Sequence, residues 1–456
     1  MNIMKEPQKN YILIAILLAV FFYLGYSWQQ NGGSFASGTK FLSSIVGSST
    51  QQVSYKTEEE SDKFVRFDME VYDRIKDSYW EKLDDDKLSE LFLLSLAKAA
   101  STTADKIDLP SKNRTGVAVM LKEGIVGVND EQKKNMTLDI ANIALYNLQP
   151  AGRSGLLTQA SETSLRNNEK NINPEKDLYK DLGLQKGAKK DEIKTAFEDR
   201  KAKLLALNTK EAKVELEKVD YARKVLTNDS SKSLYDEAKI EPTVFTRIIG
   251  GKTLYLHWNK VSPTTLQEFA LGIINASTTP GLNSLIIDIR GNIGGTLDFA
   301  KYFMGLFLGQ NHYAYDLFHQ GDYKVERSML SKLNELSRYK EIAILVDGNT
   351  QSTAELISSA FKRFHLAKIV GTTTRGWGTV ENTFPIQTSI DANEKYTVFL
   401  VHSITLRDDN QPIEGRGVDP DIDTSKSSWQ NKLPQHFSQP EMISALSNIE
   451  GKPPMK

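Results

Sequence analysis

From Phe245 onward, short apolar runs rich in β-branched residues alternate with stretches of helical spacing. This alternation limits the folds open to the chain more than any other feature. The runs are Leu254–Trp258, Leu285–Ile289, Ile342–Val346, Lys368–Gly371 and Thr397–Ile404. Unbroken apolar runs of this kind belong to strands buried on both faces, and helices between them supply the cover. The pattern predicts an α/β core. Upstream the spacing is helical. Phe67, Val71, Ile75 and Trp80 mark one helix, Leu88, Leu91, Leu94 and Leu96 a second, and Asn135–Leu148 another. Residues 164–176 are polar and read as a linker, whereas Lys176–Ala238 is helical and charged. After Lys426 the chain is irregular, with a short helix near Glu441–Asn448.

Tyr11 to Trp28 is uncharged and almost wholly apolar, with Lys5 and Lys9 before it and no charge after it until Lys40. At roughly 18 residues it is just long enough to span a bilayer. The basic flank comes first, so the positive-inside rule predicts a single pass with the N-terminus inside a bacterial-type cytoplasmic membrane and the bulk extracytoplasmic. A cleaved signal peptide is the other reading of this segment. The expected organisation is a stub and anchor (1–28), a Ser/Gly/Gln-rich tether (29–61), a helical N-terminal region (62–170), a helical module (171–240), the α/β core (243–425) and a tail (426–456).

The formal net charge of −1 argues against nucleic acid as a partner. The absence of cysteine excludes disulfides, thiolate metal sites and a cysteine nucleophile. No metal-ligand spacing, phosphate loop or dinucleotide fingerprint is present, and the Gly-rich GNIGG is too short for either nucleotide motif. The sequence therefore calls for no metal and no cofactor.

Ser352 follows the run Ile342–Val346 and precedes a helical stretch, so it sits at a strand–turn–helix junction. Such a serine is exposed, and the helix behind it directs free N–H groups toward it. A helix N-cap is the plain structural reading. A nucleophile is the chemical one, and it needs a proton acceptor and oxyanion donors as well.

Four segments decide between these readings. LNSLIIDIRGNIGGTLDFA carries Asp288, Arg290, Asn292, Gly294 and Gly295; STAE holds Ser352; IVGTTTRGWGTVE holds Trp377 and Glu381; PIEGRGVDPDI holds Gly417, Pro420 and Asp421. In order and spacing they resemble the carboxy-terminal processing (tail-specific) serine proteases, whose α/β core is of the ClpP/crotonase type. The stretch MEVYDRIKDSYWEKLDDDKL also resembles that family's leading helices. The resemblance implies a serine-type endopeptidase acting on extracytoplasmic proteins or peptides through an acyl-enzyme on Ser352. It implies oxyanion donors at the Gly295 and Thr353 N–H groups, with Asp288, Arg290, Asn292 and Gly294 supporting the loop.

Two positions depart from the family. Its base is a lysine 25 residues after the nucleophile, and that position is Trp377, whose indole cannot accept the proton. Its glutamine four residues later is Glu381, which can serve as a base if desolvated. Of the six histidines (His257, His312, His319, His365, His402 and His436), His257 and His402 are the alternative acceptors on predicted strands. The alternative function is a pseudoprotease that binds peptides or partner proteins without cutting them. The PDZ domain usual in the family has no counterpart pattern in residues 110–240.

In the place of that domain, residues 177–236 resemble a DnaJ-type J domain through Tyr179, Leu182, Gly183, Ala188, Ile193, Ala196, Phe197 and Leu234-Tyr235-Asp236. The tripeptide His-Pro-Asp, which engages the ATP-driven chaperone, is replaced by Leu205-Ala206-Leu207. This argues against co-chaperone activity and leaves a helical spacer or protein-docking module.

Overall fold

The computed structural model describes residues 56–455. The apolar segment 11–28 and the tether up to residue 55 lie outside the described residues. Among the described residues, no helix is long and apolar enough to cross a membrane. The chain forms two compact units. One comprises residues through Thr163 with Asp316–Lys324 and Thr379–Thr405; the other comprises Ser164–Tyr315, Val325–Gly378 and Leu406–Lys456. The span 243–425 therefore contributes to both.

The first unit packs the helices Lys63–Ser78, Asp85–Ala99, Arg114–Gly124 and Asp130–Asn147 around strand Tyr396–Thr405. Phe67, Val71 and Ile75 are fully buried, as their spacing on one helical face requires. Asp62 caps the first helix by accepting the Phe64 N–H at 3.0 Å. The helix expected over Asn135–Leu148 starts earlier, at Asp130, because Asn129 and Gln132 exchange backbone and side-chain hydrogen bonds in a capping box. Strand Tyr396–Thr405 pairs antiparallel with Thr379–Pro385 and with Gly155–Thr158. Its Val398 and Leu400 close the core over Phe67, Tyr72, Phe92 and Ile140.

The second unit contains a six-stranded sheet in the order Ile422–Asp423, Lys368–Gly371, Glu341–Val346, Ser284–Asp288, Thr253–Trp258, Val244–Ile249. Neighbouring strands are parallel except the last pair. Residues of Thr253–Trp258 and Ser284–Asp288 are all buried, which is why these segments read as continuous apolar runs. On one face Tyr255, Ile286, Ala343 and Leu345 pack against Trp429, Leu433 and the helix Pro440–Ile449. On the other, Trp258 meets Phe269 and Phe303 edge-on, and Phe303 stacks with Phe361 at 5.7 Å. The loops after Asp288, Val346 and Gly371 leave the sheet together at the carboxyl ends of parallel strands, where doubly wound sheets place their sites.

Residues 110–240 are helical apart from Gly155–Thr158 and an isolated bridge at Ile172. Within them, Lys190–Leu207 and Lys210–Thr227 form a hairpin turned by Asn208 in the left-handed region (φ 46°). Its core is Leu178, Tyr179, Ile193, Phe197, Val219 and Tyr235. Leu205-Ala206-Leu207 forms the last turn of the first helix rather than a loop, because the connection is only Asn208-Thr209.

Asp68 is 2% exposed, and its Oδ1 has no hydrogen-bond partner among the described residues. Burial pushes its carboxyl well above the usual range. The folded state therefore holds a proton that the unfolded chain releases, so stability is greatest below the unfolded pKa and falls as pH rises toward the folded one. Asp68→Asn is expected to flatten this decline and raise the urea midpoint at pH 8 more than at pH 4. An identical gain at both pH values would show that Asp68 is not protonated in the fold.

Candidate active site

Ser352 stands immediately before the helix Thr353–Arg363, with φ 59° and ψ −129°. A non-glycine residue there carries strain of about 1–3 kcal/mol, retained only where the surroundings impose it. The conformation turns the side chain out of cap geometry. The Ser352 hydroxyl makes no capping hydrogen bond, and the Glu355 N–H goes to the Ser352 carbonyl at 2.8 Å. The side chain rests on Gly294, where a Cβ would come within 2.6 Å of Ser352 Cβ and 3.0 Å of its Oγ. Glycine is thus required at 294 by space as well as by its φ of 79°.

The loop carrying Gly294 is built from the residues singled out in the segment LNSLIIDIRGNIGGTLDFA. Arg290 donates from Nε and Nη2 to the two oxygens of Asp288, at 2.9 and 2.6 Å, and Tyr255 donates to Asp288 at 2.7 Å. Burial alone would lower the Arg290 pKa, but Asp288 holds it above the ordinary value. Arg290 also donates to the Lys452 carbonyl at 3.0 Å and lies 3.7 Å from Glu450, so the pair braces the loop against the C-terminal segment. Asn292 ties it down further: its amide donates to the Trp258 carbonyl at 3.0 Å and its oxygen accepts the Gly294 N–H at 2.8 Å. The Gln351 N–H donates to the Asn292 carbonyl at 2.8 Å, which locks this loop to the serine turn.

Gly295, at φ 146°, lies against Val261, whose carbonyl would be 1.9 Å from an added Cβ. The Thr353 hydroxyl donates to the Gly295 carbonyl at 2.8 Å. Among the described residues, neither the Gly295 nor the Thr353 N–H donates a hydrogen bond. Two free donors held beside a strained serine at a helix N-terminus are the arrangement that stabilises an oxyanion.

Glu355 is the residue that the sequence reading left without a role. It is fully buried, and its carboxylate accepts four hydrogen bonds: Ser352 N–H at 2.8 Å, Thr374 hydroxyl at 2.6 Å, Gly376 N–H at 2.7 Å and Trp377 N–H at 2.8 Å. Burial lifts its pKa above the ordinary glutamate value, against the opposing pull of those donors. The S-x-x-E spacing of Ser352 and Glu355 is a capping signal that sequence inspection alone could have caught. The Trp377 loop is also fastened by Arg375 N–H to Thr350 carbonyl at 2.9 Å and by Gly378 N–H to the Glu414 carboxylate at 2.8 Å. Arg375 lies over the Trp377 ring, its guanidinium carbon 6.0 Å from the centroid.

The structure therefore brings Ser352, Thr353, Gly294 and Gly295 together and fastens the Trp377 backbone to the same turn. Glu381 belongs to the first unit, on strand Thr379–Pro385, where its carboxylate accepts the Thr379 hydroxyl at 2.5 Å. His257 is buried and donates from Nδ1 to the Asp288 carbonyl at 2.9 Å, a bond that supports the loop. His402, in the first unit, stacks on His319 at 4.2 Å. Burial, with the His319 and Lys324 charges, lowers its pKa to about 4. Among the described residues, no group of three or more His, Asp or Glu side chains could hold a metal ion.

Fold and site define a class: an α/β core presenting a strained serine and two free backbone donors at the carboxyl ends of its strands. Residues 252–424 match the model of peptidase family S41. The chain is 23% identical over 376 residues to a probable CtpA-like serine protease of Staphylococcus epidermidis, covering 79% of this chain and 65% of the relative. It is 24% identical over 381 residues to one from Staphylococcus aureus, covering 80% and 66%. The match thus spans somewhat less than two thirds of the length of these curated relatives. The solved photosystem II D1 C-terminal processing protease aligns with 81% of this chain and 93% of its own, at 13% identity and a TM-score of 0.45.

Glu355→Gln would place an amide N–H₂ against N–H and O–H donors that now share a carboxylate. The expected cost is about 3 kcal/mol of stability in urea unfolding. An unchanged midpoint would show that the four bonds contribute nothing net.

Proposed function

We propose that this protein is a membrane-anchored, extracytoplasmic serine endopeptidase of the carboxy-terminal processing type. The observation that carries the reading is the strained Ser352 beside the two unengaged N–H groups of Gly295 and Thr353. In the proposed reaction the Ser352 oxygen attacks the scissile carbonyl while its proton passes to a base. The carbonyl oxygen becomes an anion received by the two N–H groups, a contribution of about 3 kcal/mol per donor. Collapse breaks the C–N bond, the proton goes to the leaving amine, and water releases the acyl group from Ser352. Glu381 is the proposed base, because it stands four residues after the position where the family carries its lysine. Asp288, Arg290, Asn292 and Gly294 hold the loop that presents the donors.

The apolar segment 11–28 supports the anchor, with the bulk of the chain outside the membrane. Protein or peptide chains are the substrates, and the reaction calls for no cofactor. The helical hairpin is a J-like spacer or docking module, and the loss of His-Pro-Asp at Leu205-Ala206-Leu207 removes the contact an ATP-driven chaperone needs. Trp377 favours a second reading, a pseudoprotease that holds peptides at this site, because an indole in the lysine position leaves Ser352 without the family's proton acceptor.

Reaction with a fluorophosphonate probe separates the two. The peptidase reading expects labelling that Ser352→Ala abolishes and that Glu381→Gln slows by a factor of about 10²–10⁴, the usual contribution of a general base. Labelling that is absent in the folded protein and appears in Trp377→Lys would establish the pseudoprotease instead.

A further inference from the structure

The helical hairpin ends in an apolar tip that nothing within the described chain covers. Leu205 is 58% exposed, Leu207 63% and Val214 48%, and they lie on either side of the Asn208 turn. Leu204, Leu207 and Val214 line an open groove of about 620 Å³ at this end. The rest of the hairpin behaves as a small helical domain should, with Ile193, Phe197, Val219 and Leu226 fully or nearly buried. Apolar exposure is thus confined to the tip and is not a property of the whole module. Burying such side chains is the normal way to remove their contact with water, and a cluster left outside marks a contact surface.

The charges around the tip state what that surface meets. Residues 200–215 carry Arg200, Lys201, Lys203, Lys210 and Lys213 against two carboxylates, Glu211 and Glu215. Arg200 is paired with Glu215 at 2.9 Å and Lys201 with Glu198 at 3.5 Å. Lys203, Lys210 and Lys213 make no ion pair among the described residues, and they flank Leu205, Leu207 and Val214 in sequence. Apolar side chains at a projecting end, ringed by unpaired lysines on flexible stems, match the boundary between acyl chains and anionic head groups. A protein groove lined by acidic residues would suit the lysines but leave the leucines on both sides of the turn only partly covered.

We propose that the hairpin tip is a second membrane contact, dipping Leu205, Leu207 and Val214 into the surface of a bilayer with anionic head groups. The inference rests in part on the reading of residues 11–28 as an anchor, which keeps the tip close to a bilayer. The tip would add a lipid-dependent hold on the helical module that the anchor alone does not supply.

The chain contains no cysteine, so one introduced thiol reports one position. Full-length Leu207→Cys labelled with the environment-sensitive fluorophore NBD is reconstituted in phosphatidylcholine vesicles with and without phosphatidylglycerol. Lys186→Cys, at an exposed site outside the hairpin, is the control. The expected result is blue-shifted emission, quenched by doxyl-labelled lipid, at 207 but not at 186, and only with phosphatidylglycerol present. Adding Lys203→Glu, Lys210→Glu and Lys213→Glu should shift the contact equilibrium toward solvent by at least about tenfold. No quenching at 207 in either vesicle overturns the inference, and so does quenching that ignores head-group charge. A blue shift without doxyl quenching also overturns it and assigns the tip to a protein partner. Flotation after an alkaline wash tests the anchor separately. A chain that washes off but is quenched in anionic vesicles keeps the tip contact and ends the anchor reading. A chain that floats with an unquenched probe does the reverse.

Discussion

The buried carboxylate of Glu355 is the interaction on which the site depends. It takes hydrogen from the N–H of the serine itself and from three groups of the loop that runs past Trp377. A buried charge is costly unless its lone pairs are filled, and here four donors fill them. The same bonds hold Ser352 in a conformation that a free chain would leave, so the strain at φ 59° is maintained by the surroundings of the turn. On the other side, Asn292 and Gly294 fit against the serine from the Asp288–Arg290 loop. Two loops, from the parallel strands on either side of the serine's own, thus converge on one side chain.

Much of this was legible in the sequence, for physical reasons that can be named. Four of the five apolar runs became buried strands of the largely parallel sheet, which leave no polar alternation to misread, and the fifth, Thr397–Ile404, became an antiparallel strand of the first unit. The helix after Ser352 followed from a turn and an apolar period. Glu355 was passed over because a single acidic residue on a helix usually faces water, whereas here it faces inward under the serine. The helix Arg114–Gly124 was missed because its apolar positions, Val117 to Leu121, form one short unbroken run that periodicity alone assigns to neither helix nor strand. The division into two units was hidden for a different reason. Strands Thr379–Pro385 and Tyr396–Thr405 look like a continuation of the α/β pattern, yet they pair with each other and with Gly155–Thr158 in the first unit. Pairing partners far apart in sequence leave no local trace.

The loop around Trp377 is fastened largely through its backbone. Glu355 grips residue 377 through the backbone N–H, a group every residue but proline supplies. Arg375 beside it is positioned by its own N–H on the Thr350 carbonyl, again independently of its side chain. The loop's path is held by these backbone N–H groups together with the Thr374 hydroxyl and the Glu414 carboxylate.

The chain enters the first unit three times, through residue 163, at 316–324 and at 379–405. This threading has a consequence for how the protein is made. Phe67 and Ile140 emerge from the ribosome long before Val398 and Leu400, the strand residues that complete their core. The early helices must wait through the synthesis of the hairpin and most of the sheet with part of their apolar surface uncovered. Neither unit can be released complete by a single cut in the chain, and neither can finish folding until translation has passed residue 405. The order of assembly is thus written into the connectivity: the serine turn at 352 is already synthesised when the last strand of the first unit arrives.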